Sequence, residues 1–354
     1  MQKYIHYFSK HCIDYLILGW DRLGQYADSG NIVYYRRPSS YNFGAKAVGG
    51  RLFWMWHVFS FLRKNRNKFD YIHACDFDTA LPAVAFKLLF RKKMIFDVFD
   101  WFTDTIRVDN RLVELVIRVT EYLTAKCSDV VVLCENERLP QIGFQPKCLL
   151  VLPNIPNIEP PKKYGEDNHS NLVISYVGGF YQDRNIELLL EVVTAMPQIR
   201  LKIAGYGDHE IEKMCTKLST EHSNIEYYGR VPYTDGLEIM SNSHYLYAMY
   251  CKVNKNHLYA APNKFYESLM LGRPIITTEG TLVGEKVLKH QTGYVIGEDK
   301  QDLIRLLNSL LDSNQKQYEA YATRCRDLWL NHYSHCVDDF FAKEYIPLIL
   351  HGLY

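Results

Sequence analysis

The chain has 354 residues, 47% of them hydrophobic, which is long for one core and apolar enough for two. Its 41 basic residues balance 40 acidic ones, so the overall charge gives no reason to expect nucleic acid or another polyanion as partner. Nine scattered cysteines, odd in number and without a Cys-x-x-Cys pair, argue for reduced thiols in the cytosol and against a disulfide framework or a zinc site.

Short apolar runs alternate with helical patterns along the chain, which predicts βαβ units and a parallel sheet. A helix-like segment, Gln2–His11, leads straight into the first predicted strand, Tyr15–Leu18. Strands follow at Tyr71–His73, Met94–Asp97, Val130–Leu133 and Leu149–Leu152, giving a first domain over 1–153. Such domains usually open with a buried strand and a Gly-rich turn, and that strand is missing at the start of this sequence. Pro153, Pro156, Pro160 and Pro161, then the polar stretch Lys162–Ser170, predict a linker over 154–171. The rhythm resumes over 172–314 with strands at Val173–Val177, Leu201–Ala204, Ile225–Tyr228, Tyr245–Tyr250, Pro274–Thr277 and Tyr294–Ile296. Residues 315–354 read as helices that return to the first domain.

Candidate binding residues gather at predicted strand ends of the second domain. Gly178 and Gly179 close one strand ahead of Arg184, and glycines admit backbone amides close to a phosphate that Arg184 can neutralise. The next strand ends in Gly205, Tyr206 and Gly207. Further on, Asn263, Lys264 and Glu267 open a short helix that stops at Gly272 before a buried strand. A helix start at such a sheet edge offers N–H groups to phosphate, and a carboxylate one turn in can accept both ribose hydroxyls. An acidic residue near a helix start also favours the macrodipole without any ligand, so the convergence of the three segments carries more weight than Glu267 alone.

The order Tyr-Val-Gly-Gly…Arg184, Lys-Ile-Ala-Gly-Tyr-Gly, Tyr-Tyr-Gly-Arg-Val-Pro-Tyr, Pro-Asn-Lys-Phe-Tyr-Glu…Gly-Arg-Pro-Ile-Ile and Gln-Thr-Gly-Tyr-Val-Ile-Gly resembles the donor domain of family 4 retaining glycosyltransferases. The resemblance covers residues 172–312 and extends more weakly over Leu16–Asn154. It implies the GT-B fold, α/β with two Rossmann-like domains facing across a cleft and a C-terminal helix crossing back to the first. The second domain would bind a UDP- or GDP-sugar as substrate, with no cofactor and no metal. By the resemblance, Glu267 holds the ribose, Arg184 contacts the diphosphate, and Gly178 matches the loop glycine. Gly179 stands where an arginine is usual, and Tyr259 replaces the earlier of two glutamates that are eight positions apart. Backbone amides of 260–264, or Lys264, would then meet the sugar hydroxyls.

In the first domain, Tyr71-Ile-His-Ala-Cys-Asp and Ile95-Phe-Asp-Val-Phe-Asp resemble the family's strands that end near the acceptor, with Cys75 and Phe99 in place of histidines. Asp76, Asp97 and Asp100 thereby become candidates for orienting an acceptor hydroxyl, with Asp76 and Asp100 leading. A strand-end aspartate that caps a turn is the ordinary alternative.

Residues 1–163 hold 23 Lys and Arg against 16 Asp and Glu, or +7, while the remainder holds 18 against 24, or −6. Aromatic residues followed by cations in 51–68, and a second basic patch in 87–93, suit an anionic membrane surface, although a core-facing helix with a solvated last turn has the same pattern. No signal peptide and no run of about 18 apolar residues is visible, so a cytoplasmic protein peripheral to the inner membrane face is expected. The expected activity is sugar transfer to a lipid-linked or saccharide acceptor in surface-polysaccharide assembly. A sugar-nucleotide 2-epimerase of the same fold and a non-catalytic nucleotide binder are the alternatives.

Overall fold

The computed structural model describes residues 1–39, 45–106, 110–156, 158, 172–313 and 315–352. The predicted linker lies largely outside them. The chain divides into two compact units, one of Met1–Pro153 with Asp338–Tyr354 and one of Asn154–Val337.

The first unit runs α1 (Gln2–Lys10), β1 (Ile17–Asp21), β2 (Ile32–Arg36), α2 (Ala45–Lys64), β3 (Tyr71–Cys75), α3 (Phe77–Phe90), β4 (Lys93–Val98), α4 (Phe102–Thr105), α5 (Arg111–Cys127), β5 (Val130–Leu133), α6 (Leu139–Ile142) and β6 (Leu149–Val151). Strands β3-β4-β5-β6 form one parallel sheet, and β1-β2 form a separate parallel pair. The sequence pattern misses β2. A parallel connection ordinarily contains a helix, yet β1 and β2 are joined by a ten-residue loop that gives no helical signal. Asp21 organises that loop, its two carboxylate oxygens accepting from the N–H groups of Leu23, Gly24 and Tyr26. In α2, Trp54, Val58 and Leu62 enter the core beside Phe86, Met94, Phe96 and Val131. The opposite side of the helix leaves Leu52, Phe53 and Trp56 exposed.

The second unit runs β7 (Leu172–Phe180), α7 (Ile186–Thr194), β8 (Ile199–Gly207), α8 (His209–Glu221), β9 (Ile225–Tyr227), α9 (Tyr233–Ser241), β10 (Tyr245–Ala248), α10 (Asn263–Leu271), β11 (Ile275–Thr278), α11 (Leu282–His290), β12 (Gly293–Ile296), α12 (Lys300–Asp312) and α13 (Gln315–Leu328). Its sheet is wholly parallel in the order β12-β11-β10-β7-β8-β9. This is the doubly wound arrangement that the alternation predicts, with the strand order reversing beside β7. Ile174, Leu201, Ile203, Tyr245 and Ile276 fill the core with Leu189 and Leu307 of the flanking helices.

Residues 315–337 do not join the first unit, contrary to the expectation for 315–354. Tyr318 and Ala322 of α13 are part of the second core, and the Tyr318 hydroxyl is paired with Arg273. The return to the first unit begins at Asp338, within α14 (Cys336–Asp339), and continues to α15 (Ile346–His351). There Phe341 stacks on Tyr7 of α1 at 4.1 Å, and the Tyr7 hydroxyl donates to Asp338.

Candidate nucleotide site and acidic strand ends

Strands β7 and β8 run beyond their predicted ends and pair Gly178 with Gly205, Gly179 with Tyr206 and Phe180 with Gly207. The glycines read as closing two strands therefore lie within the strand pairing itself. Close packing explains them. A Cβ at Gly205 would sit 1.9 Å from the Gly178 carbonyl oxygen, and one at Gly207 would sit 2.4 Å from that of Phe180. Gly178 is under no such demand, since its nearest neighbour would be the Tyr176 hydroxyl at 3.5 Å. Tyr206 is half exposed, and the Arg230 guanidinium lies 4.4 Å over its ring.

Arg184 follows in a turn, Gln182–Arg184, that ends in left-handed Asn185 before α7. Its guanidinium lies 4.4 Å from the centre of the Tyr250 ring, and its Nε is 3.9 Å from Asp183 Oδ1. Its Nη1 is buried with no hydrogen-bond partner among the described residues. A buried cationic donor without an acceptor is costly unless an anion supplies one. Asp183 is anchored in turn. The Asn254 amide donates to its Oδ2 at 3.1 Å, His257 Nε2 is 3.6 Å from the same oxygen, and the Cys251 N–H donates to its carbonyl at 3.0 Å.

Glu267 is the fifth residue of α10, and only 1% of it is exposed. Its Oε1 accepts from the Tyr233 hydroxyl at 2.9 Å, and its Oε2 is paired with Lys264 one turn earlier. The carboxylate therefore sits deeper than a first-turn position, already oriented by two donors. Asn263 is exposed at the opening of α10, where Pro262 occupies the cap and makes no side-chain cap hydrogen bond. Such a helix start can receive an anion. Tyr250 connects the two charged groups. Burial pushes its hydroxyl up to about 12, while Arg184 pulls it down and Glu267 pushes it up. Tyr250 and Tyr233 were not singled out from sequence, although Tyr250 ends an apolar run and Tyr233 closes the Tyr-Tyr-Gly-Arg-Val-Pro-Tyr segment.

In the first unit, Asp76 and Asp100 come together beyond β3 and β4. Asp76 has φ 63° and ψ 166°, a region that residues other than glycine rarely occupy. Its Oδ1 accepts from the N–H groups of Phe99 at 3.1 Å and Asp100 at 3.4 Å. Burial first, then the charge of Asp100, pushes the Asp76 carboxyl up to about 7. Asp97 does not join them. It points inward and accepts from the Tyr4 hydroxyl at 2.9 Å, with His73 Nε2 at 3.1 Å, while His73 Nδ1 meets the Tyr345 hydroxyl at 2.7 Å. His73, Cys75 and Asp97 form a group of potential metal donors within 4.8 Å of one another. Tyr4 and Tyr345 already engage its histidine and carboxylate, which accounts for the cluster as a structural network that holds α1 and the C-terminal turns to β3.

Residues 158–327 match the family model described as Glycosyl transferases group 1. No curated protein sequence matches the chain. Among solved structures, WaaG, a glycosyltransferase involved in lipopolysaccharide biosynthesis, is 14% identical with a TM-score of 0.68, covering 99% of this chain and 96% of its own. Sucrose-phosphate synthase from Thermosynechococcus elongatus is also 14% identical at 0.68, covering 96% and 88%. Anabaena Alr3699/HepE, crystallised with UDP and glucose, is 13% identical at 0.66, covering 96% and 100%. The chain therefore carries a glycosyl transferases group 1 domain over residues 158–327, on the parallel α/β fold of GT-B glycosyltransferases.

Proposed function

We propose that this protein transfers a sugar, with retention of configuration, from a UDP- or GDP-sugar to a lipid-linked or saccharide acceptor in the assembly of a surface polysaccharide such as O-antigen, capsule or exopolysaccharide. The observation that carries this reading is the buried, unpartnered Nη1 of Arg184, whose ring partner Tyr250 also senses Glu267 within the group 1 domain. Glu267 would accept the ribose hydroxyls, with the Lys264 pairing exchanged or shared when donor binds. The open start of α10 and Arg184 would take the diphosphate. HepE, crystallised with UDP and glucose, supports a uridine nucleotide as the first donor to try.

The reaction needs charge stabilisation more than a strong base. The bond from the anomeric carbon to the diphosphate oxygen breaks, and the acceptor oxygen bonds the same carbon from the same face. The departing diphosphate oxygen can take the acceptor proton, while Arg184 neutralises the negative charge that develops there. Asp76, beside Asp100, would orient the acceptor by accepting a hydrogen bond from a second hydroxyl of it, leaving the reacting hydroxyl's proton to the diphosphate oxygen. No step in this scheme requires a metal.

Work at the cytoplasmic face of an anionic membrane is part of the same reading. Exposed Leu52, Phe53 and Trp56 precede Arg63 and Lys64 at the end of α2, in keeping with 51–68 as a contact. The patch at 87–93 is weaker, because Lys87 is paired with Asp129 at 2.9 Å and Lys92 donates to the Phe69 carbonyl. No helix among the described residues is long and apolar enough to cross a membrane.

The test screens UDP- and GDP-sugars by thermal shift, then follows consumption of the stabilising donor with and without added acceptor. Transfer requires the acceptor. Consumption that proceeds equally without it identifies the epimerase, and stabilisation without consumption under either condition identifies a binder without turnover.

A further inference from the structure

Helix α5 is built inside out. Its buried residues are Glu121, Thr124 and Ala125. Glu121 engages both carboxylate oxygens at the start of α4, accepting from the Phe102 N–H at 2.6 Å, the Thr103 N–H at 2.9 Å and the Thr103 hydroxyl at 2.5 Å. An acid that caps a neighbouring helix fixes the polar side of its own helix inward. With about 3.6 residues per turn, Leu112, Leu115, Val116, Val119 and Leu123 then share the outer face, over a length of about 17 Å. Each is between 47% and 73% exposed. One such residue on a surface is ordinary, but five in line on one helix form a patch that calls for a partner.

The surroundings of the stripe indicate which partner. Arg111 lies exposed at one end and Lys126 at the other, and Arg118 sits beside the stripe, paired with Glu114 at 3.1 Å. Helix α3 packs against both α2 and α5, and two right-handed crossovers place α3 and α5 on the same side of the sheet. The same layer exposes Leu88 and Leu89 just ahead of exposed Arg91 and Lys93, besides the aromatic side of α2. Apolar residues bordered by cations on adjoining helices complement a surface with both an apolar interior and anionic groups at its boundary. We infer that α5 is the element by which the first unit inserts into an anionic phospholipid bilayer, its leucine and valine stripe at the acyl boundary and Arg111 and Lys126 against lipid phosphates. The inference rests on the proposed membrane-face reading and adds a segment that 51–68 and 87–93 do not include.

The experiment sediments the whole protein with vesicles of phosphatidylcholine alone or mixed with phosphatidylglycerol. It compares wild type with the triple variant Leu115→Ser, Val116→Ser, Val119→Ser and with the double variant Arg63→Gln, Lys64→Gln. Losing three apolar side chains from the acyl boundary is expected to lower partition into the mixed vesicles on the order of tenfold to a hundredfold. The melting temperature should stay unchanged, because the three positions are exposed. If wild type binds the mixed vesicles and the triple variant binds equally well, α5 does not insert, while the membrane reading stands. If wild type binds neither vesicle, both fail. Light scattering that finds a dimer dissolved by the triple variant, without vesicle binding, would make the stripe a self-association face and overturn the inference.

Discussion

One carboxylate in each unit, Asp76 in the first and Glu267 in the second, is held in the opposite way to the other. In the second, Glu267 is held by Lys264 and Tyr233, opposite charge and donor meeting it directly. In the first, Asp76 faces the like charge of Asp100 from a strained backbone, and its carboxyl is pushed up to about 7. A paired carboxylate is pre-organised to bind, whereas one crowded by a like charge is poised to gain or lose a proton near neutrality. Under the proposed function, the first kind of carboxylate would serve nucleotide binding and the second would handle the acceptor.

The largest effect should come from Arg184→Ala. If Arg184 faces the developing diphosphate charge as proposed, its removal should lower kcat by about 10² to 10³, an order typical of such stabilising donors. Arg184→Lys should recover part of it, and near-normal turnover in the alanine variant would erase the distinction between the units. Asp76→Asn should lower kcat/KM by about 10² at pH 8 if the carboxylate receives the acceptor hydrogen bond. Because the Asp76 carboxyl is raised to about 7, its ionised fraction grows as pH climbs through that value, so wild-type kcat/KM should rise through it. The asparagine variant should show no such rise, and an identical profile in both proteins would remove Asp76 from the reaction.

Glu267→Gln should act on binding instead, weakening nucleotide affinity by about tenfold to a hundredfold with a smaller change in kcat, since a hydrogen bond to a charged group is worth about 1.5–3 kcal/mol. A kcat loss with unchanged affinity would contradict the ribose role. The smallest effect is on stability. Burial raises the Glu121 carboxyl to about 7, with its hydrogen bonds from Thr103 and Phe102 opposing the shift. A raised folded-state value means the protonated form is favoured on folding, so this contribution is complete below the unfolded value and lost as pH rises through about 7. Asp76 acts in the same sense. Glu121→Gln should reduce the decline in denaturant stability between pH 5 and 8 by about 2 kcal/mol, with an unaltered slope refuting the assignment.

Much of this architecture was legible in the sequence. Each strand of the second sheet is a short apolar run followed by an amphipathic segment, and Arg184, Lys264 and Glu267 fall after such runs, while the roles given to them come from the family resemblance. What escaped has physical reasons. β2 follows a loop where the rhythm expects a helix. Gly205 and Gly207 have the composition of a phosphate loop, but it is backbone proximity that requires them. Asp97 and Asp100 are three residues apart on the same segment, and only three-dimensional packing sends Asp97 to Tyr4 and leaves Asp100 with Asp76. An amphipathic pattern shows that a helix has two faces without saying which one meets the sheet. In α5, Glu121 and its bonds to α4 make that choice, and no local signal carries it.

Calorimetric titration of UDP and GDP into wild type, Glu267→Gln and Arg184→Ala bears most directly on the nucleotide site. One nucleotide should bind wild type, with affinity reduced in both variants while their circular dichroism shows both to be folded. Binding of neither nucleotide, or equal affinity in all three proteins, would contradict the assignment of Glu267 and Arg184 to a nucleotide-sugar site.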